Sequence, residues 1–176
     1  MSNTPRLTAI LAVAHCGAIG DTSSPGGMPW PRLSRDMRRF RERTDGKVCI
    51  VGRKTYDVLP RLPGRRLVVL TRTHASATVP ASSSLVGVYQ SADDAAASFV
   101  GESEIMVIGG ADVYRQLLPR CDRMLLTEVL WSYPLADVRL DSPRVLTEGW
   151  RRLSSEHHAP EDGTPLALRF SEWVRP

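Results

Sequence analysis

Six short apolar runs punctuate the chain: Leu7–Ala14, Val48–Val51, Leu67–Leu70, Leu85–Tyr89, Ile105–Ile108 and Met124–Val129. Several are unbroken stretches of Val, Ile and Leu, the pattern of strands in a sheet covered on both faces. Between them, Leu33–Thr44, Arg53–Leu59, Ala92–Val100 and Asp112–Leu118 carry helical spacing. Strand and helix in alternation predict an α/β sandwich on a mainly parallel sheet. The tail breaks that rhythm. Trp150–Ser155 and Leu166–Val174 flank the turn-rich Ala159-Pro160-Glu161-Asp162-Gly163, which predicts an antiparallel hairpin added at the sheet edge. Thr73–Ser84 is a soft Ala/Ser/Thr stretch, but no repeat or linker divides the chain, so a single domain over residues 1–176 is expected.

Composition changes this picture little. A hydrophobic content of 42% with 24% charged residues is that of an ordinary globular protein. No apolar run is long enough to cross a bilayer and the first residues lack the layout of a signal peptide, so a cytoplasmic protein away from membranes is expected. Cys16, Cys49 and Cys121 are odd in number and have no metal-ligand spacing, which reads as three reduced, packed thiols and no metal. The formal charge of +4 is carried almost wholly by arginine, Lys47 and Lys54 being the only lysines. These arginines are spread along the chain without aromatic interleaving. A multiply charged small molecule therefore suits them better than nucleic acid.

The most informative helix begins near Leu33. At 100° per residue, Leu33, Asp36, Met37 and Phe40 share one side, while Arg35, Arg38, Arg39, Glu42 and Arg43 occupy the rest. Asp36 is then the one ionisable group inside an apolar stripe. Two readings are open. In the first, it is a carboxylate in a helix's first turn, favoured by the helix dipole. In the second, it lines a pocket, binds a cationic or protonated heterocycle, and manages protons with a pKa raised by burial. The preceding Gly26-Gly27-Met28-Pro29-Trp30-Pro31 joins a hinge to a large apolar payload, the make-up of a water-excluding lid or of a loop with one anchoring Trp. Its closeness to Asp36 favours the lid.

Two strand-to-helix junctions suit phosphate. Ile105–Ile108 runs into Gly109-Gly110 and a helix, although Ala111 and Val113 break the GxGxxG spacing. Val48–Val51 runs into Gly52-Arg53-Lys54-Thr55, with a cationic pair and a hydroxyl at a helix start. Leu70-Thr71-Arg72 ends the next strand in the same style. Arg53, Lys54, Thr71 and Arg72 together would suit the extra 2′-phosphate of NADP.

The ordered set of motifs resembles the dihydrofolate reductase family. Ala18-Ile19-Gly20 and Met28-Pro29-Trp30 with Asp36 and Phe40 come first. Val51-Gly52-Arg53-Lys54-Thr55-Tyr56 and Leu62-Pro63-Gly64-Arg65-Arg66 follow. Val107-Ile108-Gly109-Gly110 with Val113-Tyr114, Leu118-Pro119 and Leu126-Thr127-Glu128-Val129 complete the set. The resemblance implies a three-layer sandwich on an eight-stranded mixed sheet with four helices. It implies reduction of 7,8-dihydrofolate to 5,6,7,8-tetrahydrofolate with NADPH, and sensitivity to antifolate inhibitors. On it, Asp36 holds the pterin through its 2-amino and N3 groups and promotes protonation of N5, Thr127 backs that network, and Trp30 helps position a water. Ile10, Ala12, Met37, Phe40, Leu59 and Leu62 form apolar walls, Ile108 lies near the nicotinamide, and Arg65 clamps the glutamate tail. The cofactor side takes in Ala14, Ile19, Gly20, Met28, Gly52, Arg53, Lys54, Thr55, Leu70, Thr71, Arg72 and Ile108, then Gly109, Gly110, Ala111, Asp112, Val113 and Tyr114.

The chain departs from the family pattern in a longer Gly20–Trp30 loop, an extra residue between Trp30 and Asp36, a shortened Leu59–Arg65 segment, and Ala111-Asp112 after the two glycines. Two rival readings stand beside it: a riboflavin-pathway reductase of the same fold, and a non-catalytic NADP-binding module. Neither gives a reason for Asp36 beside Trp30. A monomer is expected, since no apolar surface stripe is left over.

Overall fold

The computed structural model describes residues 4–73, 84–161 and 163–176; most of the Thr73–Ser84 stretch and Asp162 of the tail turn lie outside them. Each apolar run forms a strand close to its expected bounds: β1 (Arg6–Ala14), β3 (Val48–Gly52), β4 (Arg66–Leu70), β5 (Leu85–Tyr89), β6 (Glu104–Val107) and β7 (Arg123–Val129). The tail hairpin is β9 (Arg151–His158) with β10 (Leu168–Val174). These eight strands make one mixed sheet in the order β5-β4-β3-β6-β1-β7-β10-β9. The neighbours β3/β4, β3/β6 and β4/β5 are parallel, whereas β7/β10 and β10/β9 are antiparallel. The hairpin thus supplies the sheet edge, and its last strand returns to lie against β7. Burial follows the apolar runs: β3 is buried from Val48 to Val51 and β7 from Met124 to Thr127.

The helices are α1 (Ser34–Thr44), α2 (Arg53–Val58), α3 (Ala92–Ala97), α4 (Ala111–Leu117) and a single turn, α5 (Pro143–Leu146). Helix α3 stops three residues short of its expected end, where Ser98 caps it. Helix α5 opens on a proline at its first turn, and a single turn has no periodicity for a sequence pattern to show. A two-stranded ribbon of β2 (Ala18–Gly20) and β8 (Val138–Arg139) also escaped the pattern, being too short to alternate. Among the described residues no helix is long and apolar enough to cross a membrane, and no cluster of His, Cys, Asp and Glu could hold a metal ion.

The chain divides into two compact units. One is drawn from Met1–Thr8 and Arg41–Cys121, the other from Ala9–Phe40 and Asp122–Pro176. The first holds β3, β4, β5 and β6 with α2, α3 and α4. Its core is the Val/Ile/Leu stack of Val48, Ile50, Val51, Val68, Val69, Ile105 and Val107. Burial also pushes the Cys49 thiol up to about 12, against the charges of Arg65 and Arg66, so that sulfur stays protonated. The second unit holds β7, β9 and β10, and packs Ala14, Ala18, Trp30, Leu33, Val129, Ala136, Leu166 and Leu168 into one cluster.

Candidate active site

In the second unit, Asp36 lies in the first turn of α1, and its carboxyl meets β7. The Thr127 hydroxyl donates a 2.7 Å hydrogen bond to Asp36 Oδ1. Thr127 is itself 1% exposed, so its hydroxyl has little access to water and must be satisfied by protein. Asp36 keeps some accessible surface, yet its carboxyl is enclosed by protein. Burial pushes that carboxyl above the ordinary carboxylate range; the Thr127 hydrogen bond and the Arg39 charge pull the other way without cancelling it. A carboxyl held there by desolvation is poised to carry a proton at higher pH than a surface aspartate does.

Helix α1 corrects the expected face assignment. Leu33 is buried and Phe40 half-buried, as the stripe predicted, but Met37 is 39% exposed. Arg39, placed with the outer residues by the helical wheel, turns inward instead. Its Nη1 donates to Thr127 Oγ1 at 3.1 Å, its Nη2 donates to the Ser171 carbonyl at 3.2 Å, and its guanidinium carbon lies 4.6 Å from the Phe170 ring centre. The signal was present: residues three apart on a helix are neighbours, and Asp36 with Arg39 is such a pair.

Trp30 is 7% exposed and meets Tyr133 edge-on, ring centres 5.8 Å apart. Tyr133 is positioned in turn by its loop: its carbonyl and that of Cys16 accept from Arg139 Nη2 and Nη1 at 2.8 and 3.0 Å. Trp30 is therefore a core anchor as well as a neighbour of Asp36 in sequence. The loop before it is tied down near its start, where the Thr22 backbone N–H donates to Asp137 Oδ1 at 2.8 Å and the Thr22 hydroxyl bonds the other oxygen. Met28, further along, is 36% exposed. Ile10, Ala14 and Ile19 are buried, Gly20 is also buried, and Ala12 is partly exposed.

In the first unit, register alone brings the second constellation together. Gly52 pairs with Leu70 across β3 and β4, so the residues that follow, Arg53-Lys54-Thr55 and Thr71-Arg72, leave adjacent strand ends. On the other side of β3, the Ile108 amide donates to the Ile50 carbonyl at 2.9 Å and the Gly52 amide to the Gly109 carbonyl at 2.7 Å. Three neighbouring C-terminal strand ends thus form one rim, the usual ligand position in such sheets. Gly52 and Gly110 precede α2 and α4 without any side-chain cap. The first amides of both helices therefore lack partners within the helix and point outward.

The two glycines are required by packing. Gly109 has φ +103, and a Cβ there would sit 2.7 Å from the Tyr114 ring; a Cβ on Gly110 would sit 2.5 Å from Thr55 Oγ1. The Gly109–Gly110 peptide is cis, which nothing in the sequence pattern foretold. Val113 and Tyr114 are buried beneath this turn, while Ala111 is half-buried and Asp112 is exposed and paired to Arg115 at 3.0 Å. Arg53 is paired to Asp57 at 2.9 Å on the exposed face of α2, and Lys54 and Arg72 are exposed. Uncapped helix starts, a rim of small residues and exposed cations fit a phosphate-bearing dinucleotide.

The same unit carries Leu59, Leu62 and Arg65. Arg65 is 7% exposed, and its Nε is buried without a hydrogen-bond partner. A buried guanidinium with an unpaired donor is costly unless an anion completes it.

Three comparisons with known proteins agree. The family model described as Dihydrofolate reductase matches residues 6–175. A "Dihydrofolate reductase type 3" of Salmonella typhimurium is 34% identical over 169 residues, covering 93% of this chain and 94% of the relative. The "Dihydrofolate reductase" of Mycobacterium tuberculosis is 37% identical over 163 residues, covering 90% and 92%. Among solved structures, a dihydrofolate reductase from Enterococcus faecalis, complexed with NADP(H) and RAB-propyl, superimposes with a TM-score of 0.80 at 24% identity, covering 99% of both chains. That last likeness speaks to the fold alone. With nearly its whole length matched, the chain belongs to the dihydrofolate reductase family.

Proposed function

We propose that the chain reduces 7,8-dihydrofolate to 5,6,7,8-tetrahydrofolate with NADPH, and that Asp36 is the residue on which the chemistry turns. The observation that carries this reading is a carboxyl desolvated enough to be pushed upward and oriented by a buried hydroxyl. A carbon–nitrogen double bond accepts hydride readily only if its nitrogen gains a proton. Asp36 would hold the pterin through its 2-amino and N3 groups and promote protonation at N5 by way of a water that Trp30 helps to position. Thr127 keeps the carboxyl aimed. Ile10, Ala12, Met37 and Phe40 would wall the ring, Met37's exposed surface being the part a ligand would cover.

NADPH, when bound, supplies the hydride. Gly52, Thr55, Gly109, Gly110 and the first amides of α4 would receive its phosphates, with Arg53, Lys54, Thr71 and Arg72 at the adjacent strand ends for the 2′-phosphate. Ile108, Ala111, Val113 and Tyr114 would shape the rest of that side, and Leu70 would end the rim. Asp112 brings a negative charge, already engaged by Arg115, and contributes no favourable phosphate contact. Arg65, with its unpartnered buried Nε, would clamp the α-carboxylate of the glutamate tail.

The protein acts in this reading as a cytoplasmic monomer on small molecules, antifolates among its inhibitors, with no nucleic-acid partner. No feature of the site favours the riboflavin-pathway reaction. The test is the fall of NADPH absorbance with purified protein and dihydrofolate, run beside NADH. Turnover with NADPH, preferred over NADH and lost in Asp36→Asn, is expected. Full activity in Asp36→Asn would remove Asp36 from the reaction.

A further inference from the structure

Arg39 reaches Asp36 through Thr127. Its Nη1 donates to the Thr127 oxygen at 3.1 Å, and Thr127 in turn donates its only hydroxyl proton to Asp36 Oδ1 at 2.7 Å. The order matters. A hydroxyl that accepts from a guanidinium cannot point its proton back at that group, so the Arg39 bond fixes the rotor and commits the proton to Asp36. Arg39 is itself fixed from two sides, by the Ser171 carbonyl at 3.2 Å and by the face of Phe170 at 4.6 Å. Phe170 is braced on β10, with the His158 ring 4.4 Å away. We propose that Arg39 is a positioning residue for dihydrofolate reduction, acting through Thr127 to orient the Asp36 carboxyl and to set the pH at which that carboxyl gives up its proton.

Among the described residues, Arg39 is the charged group whose charge acts on Asp36. On α1, Arg35 is turned to Glu161, 3.5 Å away, and Arg38 is exposed. On β7 and β10, Glu128 faces Arg169 at 3.2 Å; the two stand opposite one another, one residue on from the Thr127–Phe170 pair, and so on the other side of the sheet. On β9, Glu156 lies opposite Phe170 and meets His158 at 3.4 Å. The guanidinium opposes the desolvation of Asp36 and keeps its carboxyl ionised to lower pH than burial alone would. Protonation favours reduction, so Arg39 also keeps the alkaline limb of the rate from lying further up the pH scale.

This inference rests on the proposed reaction, and its test separates the two. Single-turnover hydride transfer is followed across pH in the unaltered chain and in Arg39→Leu, Arg39→Gln and Arg39→Lys, all with NADPH bound and dihydrofolate saturating. In Arg39→Leu the alkaline limb moves to higher pH, so the ratio of the rate near pH 9 to that near pH 6 rises by about tenfold, the size expected when one close opposite charge is removed. Arg39→Gln gives the same direction and carries the test should the leucine variant fail to fold. Arg39→Lys retains the charge and restores the limb to near its original place. A limb that stays put in both neutral variants, with rates lowered by one factor at every pH, would show Arg39 to be structural only. An unaltered chain that does not reduce dihydrofolate overturns the proposed reaction itself.

Discussion

On the proposed reading, the two units hold a ligand in opposite ways. In the unit of α1 and β7, the chemistry sits in side chains: a carboxyl, a buried hydroxyl and a guanidinium linked by hydrogen bonds that join residues 36, 39, 127 and 171. In the unit of β3, β4 and β6, it sits in the backbone, as three strand ends in register with uncapped helix starts and glycines at which a Cβ would press on a neighbouring side chain. A side-chain network is tuned by changing one group and can keep its shape while losing function. A backbone cradle keeps function until its shape fails. Substitutions in the two units should therefore fail differently.

The largest effect is expected at Asp36. Asp36→Asn keeps the shape and the acceptor oxygen for Thr127, so NADPH binding by fluorescence titration stays intact while turnover falls by about 10²–10⁴-fold, the range for a lost proton-handling group. Unchanged turnover would place the proton elsewhere. Next comes Gly109→Ala. At φ +103 with a Tyr114 ring carbon 2.7 Å from the new methyl, it should cost roughly 1–3 kcal/mol of stability or more and weaken NADPH binding together with the melting temperature. Loss of NADPH binding without loss of stability would contradict the packing role given to this glycine.

Arg65→Leu removes a charge-assisted clamp and is expected to weaken dihydrofolate binding by roughly tenfold to a hundredfold, on the order of 1.5–3 kcal/mol, while NADPH binding is little changed. Equal losses for both ligands would count against the clamp. The smallest effect concerns stability alone. The folded Asp36 carboxyl titrates above its unfolded value, so the native state holds more protons between those two values, and stability falls as pH rises through that window. Above the window the cost is constant. Asp36→Asn should therefore be more stable than the unaltered chain at neutral pH, by roughly 0.5–2 kcal/mol as is common for such exchanges, and the gain should vanish in acid below the window. Denaturant melts at the two pH values check the sign.

Much of this was legible from residues alone because strands here are nearly continuous apolar runs. Val48–Val51 and Ile105–Ile108 needed no tertiary information to be placed, and glycine after each marked the ends at which a ligand rim could form. Asp36 stood out as a carboxylate in an apolar stripe. Arg39 did not, because a helical wheel assigns faces by angle and ignores the reach of a long side chain toward a distant threonine and carbonyl. The α5 turn and the β2/β8 ribbon escaped for want of length. The unpartnered Nε of Arg65 is a property of its buried surroundings, which no local pattern encodes.

Carbon-13 NMR titration of the aspartate carboxyls, with Asp36→Asn assigning the signal, reads the ionisation of the carboxyl at position 36, which burial pushes to higher pH than that of a surface aspartate. A midpoint clearly above the ordinary aspartate value of about 3.9 is predicted. A midpoint at or below that value would contradict it.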